Sequence, residues 1–398
     1  MCKHLHTSSM IEIIEKKYCT GCEACLNVCP HAAIMMVRDH EGFDYPSIYS
    51  DKCVDCGLCV KVCPVLHYED IADKRKIYND VQKAIAAKTN CEEWRRVSSS
   101  GGVFPAIANY ILEHGGVVAG AAFDEHFDVH HVIINDKKDL IKVQASKYAQ
   151  SRIKYIYKEI KKYLTDGRLV LFTGMACQIE GLKSYLRKEY SNLYTADLIC
   201  MGIPSPGVWR GYLDTTFQGE SIRHVNFKDK TYGWRVFALR IETDRRSLLQ
   251  KRFDNAFFQC MLKTYSLRPS CFNCPFKKEE RLSDFTLADC WGTVEEVPQL
   301  DDDKGLSSVI VHSSKGWRLW EELAPWLDTE EVTLASIVAH NENLVRNRQG
   351  SACRDEFYKL FSRSPQKALA WCGCNLQSGK WLRNKLLIKR VLKKIVGR

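Results

Sequence analysis

The sequence predicts a mixed α+β or α/β protein. A small cysteine-rich domain comes first, then a larger body of alternating strands and helices, then a helical C-terminal tail. Three observations carry this. Residues 19–64 contain one cysteine unit twice, residues 104–323 alternate helical stripes with apolar strand runs, and residues 380–398 pair an apolar stripe with basic residues.

The chain of 398 residues is long enough for two or three domains. With 45% hydrophobic and 27% charged residues it is neither a disordered chain nor a small disulfide-stapled scaffold. No apolar run reaches the ~18 residues that span a bilayer. The N-terminus, Met1-Cys2-Lys3-His4-Leu5-His6, has no apolar core, so no signal peptide and a cytoplasmic location are expected. Nineteen cysteines are then the anomaly. In a reducing compartment clustered cysteines point to metal rather than to disulfides.

The net charge of +10 is uneven. Residues 1–70 hold six basic and ten acidic residues, giving −4, while residues 380–398 hold eight basic residues and no acid, giving +8. The basic balance therefore reflects the tail and does not indicate nucleic-acid binding.

The first unit is Cys19-Thr-Gly-Cys22-Glu-Ala-Cys25-Leu-Asn-Val-Cys29-Pro30, and the second is Cys53-Val-Asp-Cys56-Gly-Leu-Cys59-Val-Lys-Val-Cys63-Pro64. Three cysteines spaced by two residues curl around one cubane in a single loop. The fourth, on the next turn, ligates the other cluster of a two-cluster protein. One 4Fe-4S cluster is thus assigned to Cys19, Cys22, Cys25 and Cys63, the other to Cys53, Cys56, Cys59 and Cys29. A zinc ribbon is the competing reading, but zinc needs neither three cysteines per unit nor the repeated proline. The module resembles the bacterial two-cluster ferredoxin.

Residues 68–80 are polar and read as a linker. Phe104, Ile107, Ala108 and Ile111 then form a helical stripe that Gly115-Gly116 stops. Val117–Phe123 and Val129–Ile134 read as strands. Ile153, Ile156, Tyr157, Ile160 and Leu164 form a second stripe, and Asp166-Gly167 a turn. Leu169–Phe172 is a strand, 178–187 a helix, 193–199 a strand. Ser308–Val311 is a strand ahead of a helix over Trp317–Leu323. No Gly-x-Gly-x-x-Gly follows a strand, so the usual dinucleotide-binding fold is not expected.

Cys177, Cys200, Cys271 and Cys274 come from three segments, two of them just after predicted strands at one sheet end. They suit a third 4Fe-4S cluster, with a structural zinc site or buried free thiols as alternatives. Ser99, Ser100, Gly101 and Gly102 precede a helix, where backbone N–H groups favour an anion or simply a cap. Lys147, Tyr148, Gln150 and Ser151 offer a cation, a stacking ring and hydrogen-bonding groups. The remaining thiols (Cys2, Cys91, Cys260, Cys290, Cys353, Cys372 and Cys374) read as free, and His130-His131 as structural.

Six motifs recur in series: Ser98–Phe104, Ala145–Ser151, Gly174–Gln178, Asp197–Gly202, Cys271–Cys274 and Arg281–Gly292. In this order residues 80–340 resemble the family of coenzyme F420 hydrogenase/dehydrogenase beta subunits, which includes 7-hydroxymethyl chlorophyll a reductase. The resemblance implies FAD and a 4Fe-4S cluster in the body. It places the Ser99–Gly102 loop, the Lys147–Ser151 stretch and Arg281, Asp284 and Asp289 at the flavin, and the four body cysteines at the cluster. Ala176 stands where the family often has proline, and Cys290 where it often has an aromatic residue.

The expected organisation is a ferredoxin-type domain over 1–68, a mixed α/β flavin-binding body in two parts (80–165 and 166–340) and a helical basic tail over 341–398. The expected function is an iron–sulfur flavoprotein oxidoreductase that couples hydride chemistry at FAD to one-electron transfer. Its expected partners are a ferredoxin or another one-electron carrier and a small-molecule hydride donor or acceptor such as a deazaflavin coenzyme. The alternative is an electron-transfer subunit within a hydrogenase or dehydrogenase complex. The amphipathic tail suits either docking on the body or contact with an anionic membrane surface.

Overall fold

The computed structural model describes residue 11, residues 14–69 and residues 72–372. The Met1–His6 segment, Cys2, Cys374 and the basic stripe of residues 380–398 lie outside the described residues.

The duplicated sequence folds as a duplicated backbone. Gly21 and Asp55, at matching places in the two units, have φ of 66° and 54°, and Glu23 and Gly57 have 60° and 68°. Left-handed residues turn each cysteine loop into a short helix, Ala24–Val28 and Leu58–Lys61. Strands β1 (Ile34–Arg38) and β2 (Asp44–Ile48) pair antiparallel between the two units, with Ile34 opposite Ile48. Asp39 holds their turn by accepting from the backbone N–H groups of Glu41 and Phe43.

The body is built on β3 (Lys83–Thr89), β4 (Val117–Phe123), β5 (Val129–Ile134), β6 (Val170–Met175) and β7 (Leu193–Leu198). A second group follows: β8 (Ile222–Asp229), β9 (Ala238–Thr243) and β10 (Ser247–Lys251). The chain then returns to the first group with β11 (Phe285–Asp289), β12 (Ser307–Val311) and β13 (Leu327–Glu331). The main sheet runs β13-β3-β12-β11-β7-β6-β4-β5. Its inner pairs β4/β6, β6/β7 and β7/β11 are parallel, and the flanking pairs are antiparallel. Strands from both sides of residue 165 interleave in this one sheet.

Alternate residues of the inner strands face opposite layers. Val118, Leu171 and Ala196 pack with the helices Val103–Glu113 and Ser314–Glu322. Val117, Ala119, Val170, Phe172 and Leu193 pack with the helices Ile156–Thr165 and Ala176–Leu186. Ala24 and Val62 of the cysteine-rich module join this second layer, so module and body share a core. Strands β8–β10 form a separate antiparallel sheet. An aromatic cluster including Trp209, Phe227, Phe257, Phe258, Phe357 and Trp371 packs it against the helices Pro206–Thr216, Ala256–Leu262, Arg354–Phe361 and Pro365–Cys372. The helices after residue 341 are thus docked on the body as far as Cys372. Among the described residues no helix is long and apolar enough to cross a membrane.

Candidate redox centres

Parallel strands place their following loops at one sheet end, where α/β proteins bind ligands. Cys177 opens the helix after β6, and Cys200 follows β7. Cys271 lies in the single-turn helix Pro269–Asn273, and Cys274 caps it. The Cys271 Sγ accepts from the Ile203 backbone N–H at 3.3 Å, which ties that turn to the Cys200 loop. Burial pushes the Cys177 thiol well above its ordinary value, and the neighbouring thiols of Cys274, Cys200 and Cys271 act in the same direction. Cys271 rises to about 12, again through burial first and then Cys200 and Cys274. The structure therefore gathers the four body cysteines at one place.

The module holds two small cavities. Cys19, Cys22, Cys25 and Cys63 line the inner one. Cys29, Cys53, Cys56 and Cys59 line the outer one, where Cys56 is exposed. Each cavity draws three cysteines from one unit and its fourth from the other. Burial raises Cys22 to about 11 and Cys63 to about 12, with further upward contributions from the neighbouring thiols. Among the described residues no three His, Cys, Asp or Glu side chains converge closely enough to hold a single metal ion.

Buried polar contacts fasten the inner cavity to the body. Glu23 accepts from the backbone N–H groups of Ile153 and Lys154, at 3.0 and 2.7 Å. Asn27 donates to the Lys154 carbonyl at 2.7 Å. Glu41 receives both terminal nitrogens of Arg354, and Gly42 lies backbone to backbone on Gly207. Gly181 leaves room for Cys22 on the helix that carries Cys177, while Arg268 reaches from the Cys271 turn to Cys19. These last two were not legible in the sequence, because neither shares a spacing with the cysteine it meets.

A cleft of about 950 Å³ opens beside the sheet end, lined among others by Arg95, Phe123, Phe127, Lys147, Asn226 and Lys230. Its size is that of a cofactor site. Burial lowers the Lys147 amine to about 7, and Lys230 to about 8. Both donate to backbone carbonyls, Lys147 to Gln144 at 2.6 Å and Lys230 to Arg95 and Lys304 at 2.7 Å.

Of the residues that the resemblance assigns to the flavin, Lys147 lines this cleft. Ser99 accepts from the N–H of Ser146, a lining residue, at 2.7 Å. Gly101 is pressed between β3 and β12: a side-chain carbon there would stand 2.4 Å from the Ala87 carbonyl, and its N–H donates to Ser307. Gly102 caps the next helix at φ 84°, and the Ser100 hydroxyl donates to Leu306. Tyr148 packs edge-on against Phe227 and Phe258. Gln150 turns to the module, and Ser151 pairs with buried His131 at 2.7 Å. Arg281 lies beside Asp197 and donates to the Phe276 carbonyl. Asp284, fully buried at the far end of β11, accepts from Thr195, Tyr78 and Ser313. Asp289, at the near end, receives Lys228 at 2.6 Å and the Trp234 indole N–H at 3.1 Å.

A duplicated cysteine module of this spacing, sharing a core with an α/β body, defines an iron–sulfur protein. Residues 18–66 match the 4Fe-4S dicluster domain. Residues 84–157 match the N-terminal part of the coenzyme F420 hydrogenase/dehydrogenase beta subunit, and residues 167–335 match its C terminus. The chain belongs to the family of coenzyme F420 hydrogenase/dehydrogenase beta subunits. Over 340 residues, 81% of this chain and 48% of the relative, it is 26% identical to coenzyme F420-dependent sulfite reductase of Methanocaldococcus jannaschii. Over 203 residues, 48% of this chain and 55% of the relative, it is 25% identical to the F component of the F(420)H(2) dehydrogenase of Methanosarcina mazei. The chain spans about half the length of these curated relatives. A chain of the F420-reducing NiFe hydrogenase complex of Methanosarcina barkeri superposes with a TM-score of 0.45 at 18% identity, over 72% of this chain and 90% of that one.

Proposed function

We propose that the chain is an iron–sulfur flavoprotein that exchanges electrons between a hydride carrier at the cleft and a one-electron carrier, such as a ferredoxin, at the module. The observation that carries this is continuity. Lys147 lines the cleft, Gln150 three residues on accepts from Arg268, which donates to Cys19 of the inner cavity, and Gly181 on the helix that carries Cys177 abuts Cys22. Cleft, body cysteines and inner cavity therefore adjoin in sequence.

The residues present fit the groups implied. Each module cavity offers four thiols to a 4Fe-4S cluster, and Cys177, Cys200, Cys271 and Cys274 offer four more. Lys147 and Lys230 pair with carbonyls rather than carboxylates, which leaves their charge to an anion such as the FAD pyrophosphate. Phe123 and Phe127 supply apolar wall. FAD bound there would exchange electrons in pairs with a hydride carrier and singly with the clusters.

The chain's own part is to hold these sites at fixed separation. Glu23, Asn27 and the Glu41–Arg354 pair lock the module, and the packing buries Cys25 and half-buries Cys22 and Cys177. A deazaflavin coenzyme is the hydride partner suggested by the names of the relatives. A second reading, an electron-transfer subunit without its own substrate, is suggested by the name of one relative, a subunit of a dehydrogenase.

Rapid mixing of anaerobic, flavin-loaded protein with reduced deazaflavin, NADH and NADPH in turn tests the proposal. Flavin bleaching by one donor is the expected result. Bleaching by reduced ferredoxin alone would favour a reductase of another organic substrate, and no bleaching by any of them the electron-wiring role.

A further inference from the structure

Arg268 is 1% exposed, yet it belongs to the body and ends inside the module. Its Nε donates to the Cys19 carbonyl at 2.7 Å, Nη1 to the Gln150 side-chain oxygen at 2.8 Å, and Nη2 to the Asp44 carbonyl at 3.0 Å. Nη2 also lies 3.8 Å from Cys19 Sγ. The guanidinium stacks 4.2 Å from the Tyr45 ring centre and 5.3 Å from that of Phe43. Every acceptor is formally neutral, and no acidic side chain among the described residues forms an ion pair with it. A guanidinium does not lose its proton, and burying one without a counter-charge is strongly unfavourable.

The missing negative charge has an obvious seat. Cys19 is one of the four cysteines of the inner cavity. A cubane held by four thiolates is anionic, and each added electron makes it more so. The outer cavity instead carries Asp55 and His31 beside its cysteines.

We infer that Arg268 is a positioning residue for electron transfer: it compensates the charge of the cluster held by Cys19, Cys22, Cys25 and Cys63 and raises that cluster's reduction potential. In the step concerned one electron leaves the reduced centre held by the body cysteines, which is oxidised, and enters the inner cluster, which is reduced. No bond forms or breaks and no proton moves. Arg268 favours the forward direction because its charge stabilises the reduced, more negative state. Its own backbone bonds to Ile203 and Cys271 fix it at the boundary between the two centres.

The inference rests on the cluster assignment proposed above, and the experiment separates the two. Iron content and the low-temperature EPR signals of the wild-type chain test the assignment. Absent iron would end both readings. Redox titration of those signals in Arg268→Gln then tests the charge. The expected result is full iron with the inner-cluster midpoint shifted to a more negative potential and the outer-cluster midpoint unmoved. Arg268→Lys, which keeps a cation, should lie between Arg268→Gln and wild type. An unmoved inner midpoint with full iron overturns the inference. If Arg268→Gln loses iron, Arg268→Lys must retain it with a midpoint near wild type; loss in both assigns Arg268 to the fold alone and also overturns the inference.

Discussion

Cys22 of the module rests directly on Gly181 of the body. A side-chain carbon at position 181 would stand 2.9 Å from Cys22 Cβ and 3.0 Å from its Sγ. The Tyr157 hydroxyl, 3.2 Å from the same point, donates to the Gln178 carbonyl at 2.8 Å, one residue from Cys177. A glycine in mid-helix costs helix stability; here it is what lets two cysteine sets approach.

Gly181→Val should therefore push the module off its seat. The expected cost is about 1–3 kcal/mol of overpacking, seen in denaturant melts, together with slower electron passage from flavin to module after rapid reduction. Wild-type rates in a destabilised variant would mean that electrons take another route.

Iron analysis checks the crossed cavities. Cys271→Ser should lose about four of about twelve iron atoms and spare the module's signals. Cys29→Ser and Cys53→Ser should abolish the same EPR signal although the residues lie in different units. Loss of different signals would show that each unit binds its own cluster.

With FAD in the cleft as proposed, Lys147 should make its affinity depend on pH. Burial holds its amine at about 7 in the free chain, and a bound anion favours the charged form. Below pH 7 the charge is already present. Above it, binding must take up a proton, so affinity should fall by up to about tenfold per pH unit until the pKa of the complex is passed. Lys147→Met should flatten that profile in equilibrium dialysis; an unchanged slope would remove Lys147 from the flavin site.

The Lys228–Asp289 pair ties β8 to β11, with the lysine 2% exposed. Asp289→Ala leaves that ammonium buried and unpaired, which should cost about 3–5 kcal/mol in urea unfolding. The double variant Lys228→Met, Asp289→Leu should recover most of the loss. A single variant as stable as wild type would show that water reaches Lys228.

Two strands were legible as apolar runs: Val117–Phe123, buried on both faces inside the sheet, and Val129–Ile134, partly buried at its edge, occur as expected. The cysteine units were legible because ligand spacing within a loop is a local property. Strands β8–β10 were not, since Arg223, His224 and Arg240 break the alternation, and β8 is irregular at two points in its pairing with β9. Around the cleft, Ser99–Gly102 reads equally as an anion loop or a packed turn. Only the closeness of Gly101 to Ala87, over a dozen residues upstream, and to Ser307, some two hundred downstream, shows what demands glycine there. Arg268 was invisible for the same reason, as its partners come from residues 19, 44 and 150.

The interlocked cavities also impose a timetable on synthesis. The outer cavity has all its cysteines once Cys59 has left the ribosome, while the inner one waits for Cys63. Gln150, Gly181 and Arg268, which close over the inner cavity, are made later still. Iron and sulfide destined for the buried position must therefore arrive while the newborn chain is still open, or the module must lift from its seat to admit them afterwards. The outer position, with Cys56 at the surface, is under no such constraint.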